Sequence, residues 1–395
     1  MRKLLFIAVL VPLVLAAGWY YFHERTLPAY GPLYREYAYI SNGKSGTVTV
    51  IDLRSFRPVR TLQVGAEPTG IAANPKRNEV YVVNAGSSNV SVIDAEQNKV
   101  VATIGVNGRP YFIDVSPDGH RAYVANSGSA NVSVLDLDHR TVAATLHVGG
   151  SPGLARVSPD GSTVVVTNRA DNSVSIIDTA RLAVRSAINI CIHPEDIAIL
   201  PDSMKAFISC SGSGQVASIE LKNELKNDKN DKLLALLDVG KSPVSLALKP
   251  DGGELVAFNF DAGSISIVET TPNEVSGSYL IGAQPTRGVV SFDNSRLYIS
   301  NFGSNNIAVY DIDLGKVIAY LPVGTHPDAL ALSQNQNYLL VLDSGSGDLA
   351  VIQKRQPKKK FEPSEYSLLT IIPVGMQPNQ IVVKSFLATK VADGR

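Results

Sequence analysis

The chain has 395 residues, 45% of them hydrophobic and 18% charged, which is enough apolar side chain for a large core. Lys plus Arg and Asp plus Glu each total 36, so no global field draws the chain to nucleic acid or another polyanion, and any such attraction has to be local. The length would accommodate two or three ordinary domains, but a repeat running through almost all of it argues for one body.

The first element is an export segment. Arg2 and Lys3 precede an uncharged, mostly apolar run from Leu4 to Phe22 that closes on Trp19, Tyr20, Tyr21 and Phe22. The run is just long enough for a membrane anchor with aromatic residues at the interface. Ala16-Ala17-Gly18 also suits cleavage of a signal peptide. Residues 1–25 are therefore a signal anchor or a signal peptide, and both readings put the body outside the cytoplasm, in the periplasm or at the cell surface. No Cys lies near the end of the run to carry a lipid. Residues 26–35, with Pro28, Gly31 and Pro32, follow as a linker.

From Tyr37 onward one unit recurs. The pattern Val90-Ser91-Val92-Ile93-Asp94 has counterparts beginning at Val48, Val132, Val174, Val216, Ile265, Ile307 and Leu349. Successive starts lie 42 residues apart, except for a step of 49 that contains the polar insertion Lys222 to Lys232. Each unit holds four short apolar runs punctuated by Gly, Pro, Asn and Asp, which is the rhythm of strands and turns and predicts an all-β fold. Four strands per unit predict one propeller blade. Eight prolines, Pro68, Pro110, Pro152, Pro194, Pro243, Pro285, Pro327 and Pro378, precede the innermost strands and predict eight blades. Seven is the alternative, with an irregular last unit. The first strand, Tyr37 to Ser41, has the phase of a second strand, so its missing inner partner is expected at Gln380 to Val383. Strands from both termini would then close a ring over residues 36–385, leaving 386–395 as a tail.

The segments YVVN, VSVID and ATIGV, a Pro before a short apolar strand, and then SPDG resemble the YVTN family of β-propeller repeats over roughly residues 36 to 385. The resemblance implies the fold. It implies little about activity, because propellers host many unrelated functions.

Two loops break the period, Lys222 to Lys232 and Lys354 to Ser367, both between third and fourth strands and hence on one face. The second carries Lys354, Arg355, Lys358, Lys359 and Lys360, a basic cluster that suits anionic lipid or, with no aromatic platform beside it, less specifically nucleic acid. A solvated loop is the plain alternative.

On the opposite face one unit departs from the rest. Where others have Val-Gly before the Pro it has Ile190-Cys191-Ile192-His193, and where others end the second strand in Asn it has Cys210. Three readings stay open for these two cysteines: a disulfide, two separate thiols, or a metal or cofactor site with His193. His326 holds the same place before Pro327. A motif for covalent haem or paired-Cys zinc is absent, and no metal ligand set is assigned; a haem or metal remains the minor alternative to no cofactor at all. Positions two and four after each Pro are expected to face the central channel, and these include Phe112, Asp114, Arg156, Asp196, Arg287 and Gln380. Asp114 and Arg156 are placed to pair. Asp196 and Arg287 show no local partner, and unpaired charge in a narrow channel calls for water, an ion or a ligand.

The expectation is an exported propeller that binds a protein or small-molecule ligand, or acts as a scaffold, in the cell envelope, with its site on the Cys191/His193/His326 face. The alternative is a lactonase-like hydrolase or haem-associated oxidoreductase using the same mouth.

Overall fold

The computed structural model describes residues 31–222, 230–355 and 365–389. Among them every regular element is a strand, and the strands form eight four-stranded antiparallel sheets, the blades of one propeller. Blades 2 to 8 use four consecutive strands each and begin at Pro68, Pro110, Pro152, Pro194, Pro243, Pro285 and Pro327.

Blade 1 is composite. Its strands Tyr34–Asn42, Thr47–Asp52 and Arg57–Gln63 take their innermost partner from the far end of the chain, Pro378–Leu387. The pairing runs from Tyr34↔Leu387 through Ile40↔Ile381 to Asn42↔Pro378, so both strands are longer than the cores visible in the sequence. No blade is degenerate: blade 8 has the regular set Pro327–Leu332, Tyr338–Asp343, Asp348–Arg355 and Glu365–Pro373, and the seven-bladed alternative falls.

The core lies between blades. Second and third strands are buried on both faces, as in Val80 to Asn84, because a neighbouring sheet covers each side. Tyr81, Val83, Val90 and Val92 of blade 2, for example, pack on Ile113, Val115, Val124 and Leu135 of blade 3. The same interdigitation of Ile40 and Ile51 with Leu340, Leu342 and Val351 joins blade 1 to blade 8. Outer strands alternate exposed and half-buried positions, as period-2 side chains on a splayed edge must.

The strand ends at Glu220/Lys232 and Arg355/Glu365 lie on the face where Tyr34 and Leu387 pair. Asp231, nearly buried, anchors the first of these loops by accepting from the Lys222 amide and pairing with Arg185 at 2.7 Å. Lys354 and Arg355 end their strand there, whereas Lys358, Lys359 and Lys360 lie outside the described residues. The apolar segment within residues 1–25 also lies outside them; among the described residues no helix is long and apolar enough to cross a membrane.

Candidate ligand site at the channel mouth

The opposite face is framed by two backbone devices repeated in every blade and by a side-chain device found in most of them. Each Pro opens its inner strand, and the residue before it adopts a left-handed conformation, including His193 at φ 59° and His326 at φ 55°. That conformation costs a non-glycine residue about 1–2 kcal/mol. It is held because the carbonyl of each such residue accepts the amide that follows the second strand, as Ser211 N donates to His193 O and Ser344 N to His326 O, both at 3.0 Å. Immediately after the Pro the register slips, between Pro110 and Phe112 and between Pro285 and Arg287 for instance. This bulge turns the first residue after the Pro into the channel beside the second. The expectation that only positions two and four line the channel is corrected accordingly: Thr69, Tyr111, Glu195, Thr286, Asp328 and Asn379 line it too.

The third device is a side-chain ladder. The Asn that ends a second strand donates its Nδ2 five and seven residues on, as Asn84 does to Asn89 and Ser91 and Asn168 to Ser173 and Ser175. Its carboxamide rests on the glycine three residues before the Pro, so closely that a Cβ on Gly149 would sit 2.6 Å from Asn168 Cγ. Blade 5 fills this Gly–Asn contact with Cys191 and Cys210, which are joined by a disulfide with Cα atoms 5.7 Å apart. The bond fixes the loop that carries His193.

Inside the mouth is a cavity of about 400 Å³. Arg156 stacks over Phe112, with its Cζ 4.8 Å from the ring centroid, and sits 3.8 Å from Asp114 and 4.0 Å from Asp196. Neither carboxylate is bare. Asp114 accepts the amides of Val115 and, in the next blade, Val157. Burial pushes its carboxyl up against the pull of Arg156 and those amides. Asp196 accepts the Ile197 amide and, in the next blade, the Leu246 amide and the Ser245 hydroxyl. Asp196 is thus a staple between blades 5 and 6, and the charge for which the sequence shows no local partner is held from the next blade. Local sequence could not show this, because Ser245 and Leu246 lie about 50 residues away.

Arg287 lies 3.9 Å from Asp328, so it too has a charged neighbour, contributed by the adjoining blade. Gln380 lines the same cavity.

The two histidines are not brought together, and neither lines the cavity. Each touches a group leading to it. His193 Nδ1 is 2.8 Å from Glu195, which also pairs with Arg169 at 2.9 Å. Arg169 in turn lies over the Tyr111 ring, 4.6 Å from its centroid. The His326 ring stacks on Phe302 at 4.3 Å with an 8° tilt, and Phe302 meets Phe260 at 6.3 Å.

Arg169, Phe260 and Phe302 were missed by sequence reasoning, yet they share a signal. Each is the residue directly after the second-strand Asn, a place where other blades have Ala85, Ser127, Ser211 or Ser344. Among the described residues no group of three or more His, Cys, Asp or Glu is arranged to hold a metal ion.

One further departure lies beside the mouth. Asp343 takes the Asn position in blade 8 and is fully buried; its Oδ2 accepts the Gly324 amide, and its strand partner is Asp348. Burial first, then Asp348, pushes the Asp343 carboxyl up to about 8.

A family profile described as YNCE-like beta-propeller matches residues 26–156. No curated protein matches the chain. Solved structures similar to it include dihydro-heme d1 dehydrogenase NirN in complex with DHE, 16% identical, with a TM-score of 0.72 over 91% of this chain and 78% of that one. Apo AztD from Citrobacter koseri is 16% identical, with a TM-score of 0.65 over 89% and 98%. Hydrazine synthase from Kuenenia stuttgartiensis is 22% identical, with a TM-score of 0.54 over 80% and 91%. At these identities the likeness is one of fold, and it establishes the chain as a β-propeller repeat protein.

Proposed function

We propose that the chain is an exported, YVTN-type propeller of the cell envelope that binds a small-molecule ligand at the channel mouth. The observation that carries this reading is the cavity of about 400 Å³, within the range of ligand sites, walled by charged and aromatic side chains that depart from an otherwise uniform repeat. The walls are preorganised: Arg156 and Arg169 are seated on aromatic faces, and Glu195 is held by Arg169, His193 and Ser211. Export is inferred from the charged and apolar N-terminal run and accords with a disulfide between the two cysteines.

A hydrolase or haem-associated oxidoreductase is the second reading, prompted by the haem-related NirN neighbour. It gains less support, because His193 is engaged by Glu195 and His326 by Phe302 instead of both converging on the cavity.

Native mass spectrometry of the full chain, purified in mild detergent from the envelope fraction of producing cells, tests the proposal. Val244 lines the cavity, and Val244→Trp should fill it. A small molecule carried by the wild type and lost from Val244→Trp is the expected result. A wild-type chain that carries nothing, and whose melting no envelope extract shifts, would overturn it.

A further inference from the structure

Resting on the reading that the mouth is a ligand site, we infer that its ligand is a neutral polyhydroxylated molecule of the saccharide class, gripped by Arg287 and Asp328 against the ring of Phe260. The inference follows from which polar groups in the mouth are already committed. Asp196 has both oxygens taken by amides and a hydroxyl, and Glu195 is taken by Arg169, His193 and Ser211. Arg156, 3.8 and 4.0 Å from its carboxylates, makes no hydrogen bond to them, but it is stacked on Phe112 and both carboxylates beside it already accept amides.

Arg287 and Asp328 differ. They are 3.9 Å apart, beyond a hydrogen bond, with side chains 42% and 32% exposed. Among the described residues the Arg287 guanidinium donates no hydrogen bond and the Asp328 carboxylate accepts none, while both line the cavity. Unmet donors and unmet acceptors thus stand side by side on neighbouring blades.

Charge decides between ligand classes. An anion drawn to Arg287 would meet Asp328, and a cation drawn to Asp328 would meet Arg287. The lining as a whole balances Arg156, Arg169 and Arg287 against Glu195, Asp196 and Asp328, so it selects neither sign. Adjacent hydroxyls avoid both repulsions, because each can accept from the guanidinium and donate to the carboxylate. Charge-assisted bonds of this kind are the stronger ones. Phe260 supplies the apolar wall for the C–H face of a sugar ring, and the cavity of about 400 Å³ admits a mono- or disaccharide.

The test is saturation-transfer NMR on the full chain with maltose, cellobiose and chitobiose as neutral probes, and glucuronate, glucosamine and inorganic phosphate as charged ones, at constant ionic strength. At least one neutral sugar should bind. Its affinity should fall roughly tenfold or more in Arg287→Gln and in Asp328→Asn, each of which removes a charge-assisted bond. Circular dichroism melting checks that both variants fold, and Phe260→Ala gives an independent variant of the same site. Binding only by glucuronate or phosphate, or only by glucosamine, overturns the saccharide assignment while leaving the mouth a ligand site. Failure of every neutral sugar, or binding indifferent to all three substitutions, also overturns it. If, in addition, nothing co-purifies with the wild type and no envelope extract shifts its melting, the site itself falls.

Discussion

The carboxyls of Asp343 and Asp348 are strand partners in the blade 8 hairpin, in the place where other blades pair Asn with a side chain that accepts its hydrogen bond. Asn brings a permanent donor, whereas Asp343 must hold a proton to imitate it. Its carboxyl is raised to about 8 in the folded chain, against about 3.9 when unfolded. Folding therefore takes up a proton between those values. The stability this group contributes is full below about pH 4 and is lost as pH rises through about 8. Asp343→Asn should flatten this dependence and raise the melting temperature at pH 8.5 by about 2 °C, the equivalent of one neutral hydrogen bond. Melting curves from pH 5 to 9 check it; parallel curves for the two proteins would refute the protonated pair.

The disulfide closes a separation of 19 residues and should contribute roughly 3 kcal/mol. Cys191→Gly with Cys210→Asn restores the contact used by other blades. It should recover part of that loss, but not all, because Ala217 replaces the hydroxyl that the ladder would need seven residues on. Urea unfolding with and without dithiothreitol measures both quantities. Equal stability of oxidised and reduced wild type would show that the bond adds nothing.

Removing the chain from Pro378 onward takes away the inner strand of blade 1 and bares Tyr34–Asn42 as an edge. The lost burial of Ile381 and Val383 and the broken ladder amount to several kcal/mol, or a fall on the order of 10 °C in melting temperature. Limited proteolysis should cut first near residues 34–42. A truncated chain that melts like the wild type would mean that the ring does not depend on this closure.

Asp196→Asn separates stapling from ligand contact. The carboxamide keeps one acceptor oxygen and puts an NH2 donor in place of the other, so either the Ile197 amide or the Leu246 amide and Ser245 hydroxyl lose their acceptor, at a cost of about 1–2 kcal/mol. Ligand affinity should change far less than in Arg287→Gln. Titration of both variants with one probe, alongside their urea midpoints, would expose the opposite pattern.

The ring was legible because its determinants are local and repeated. Pro68 and its seven counterparts, the Asn and Gly positions, and the phase of Tyr37 each constrain a few adjacent residues, and their recurrence turned weak signals into a strong one. The mouth was less legible. Asp196 looked unpartnered because Leu246 is 50 residues on, and Glu195 and Asp328 were overlooked because the bulge after each Pro shifts the period-2 alternation by a residue. Arg169 and Phe260 stand one place beyond a strand, where strand periodicity carries no information. Lys354 and Arg355 end a strand as part of the basic cluster, but what Lys358, Lys359 and Lys360 touch lies outside the described residues.

The place just after each second strand has a further meaning. Its backbone is pinned by the carbonyl before the Pro, while its side chain stands outside the interblade cores and meets its neighbours only at the mouth, as Arg169 meets Tyr111 and Glu195 and as Phe302 meets Phe260 and His326. Eight such places around one opening behave as independent letters on a common frame. On the proposed reading of the mouth as a ligand site, substituting one would change what the opening recognises at little cost to the interblade cores, so new ligand preferences could arise by single steps. Neighbouring propellers of the same frame would then diverge in cargo long before they diverge in shape.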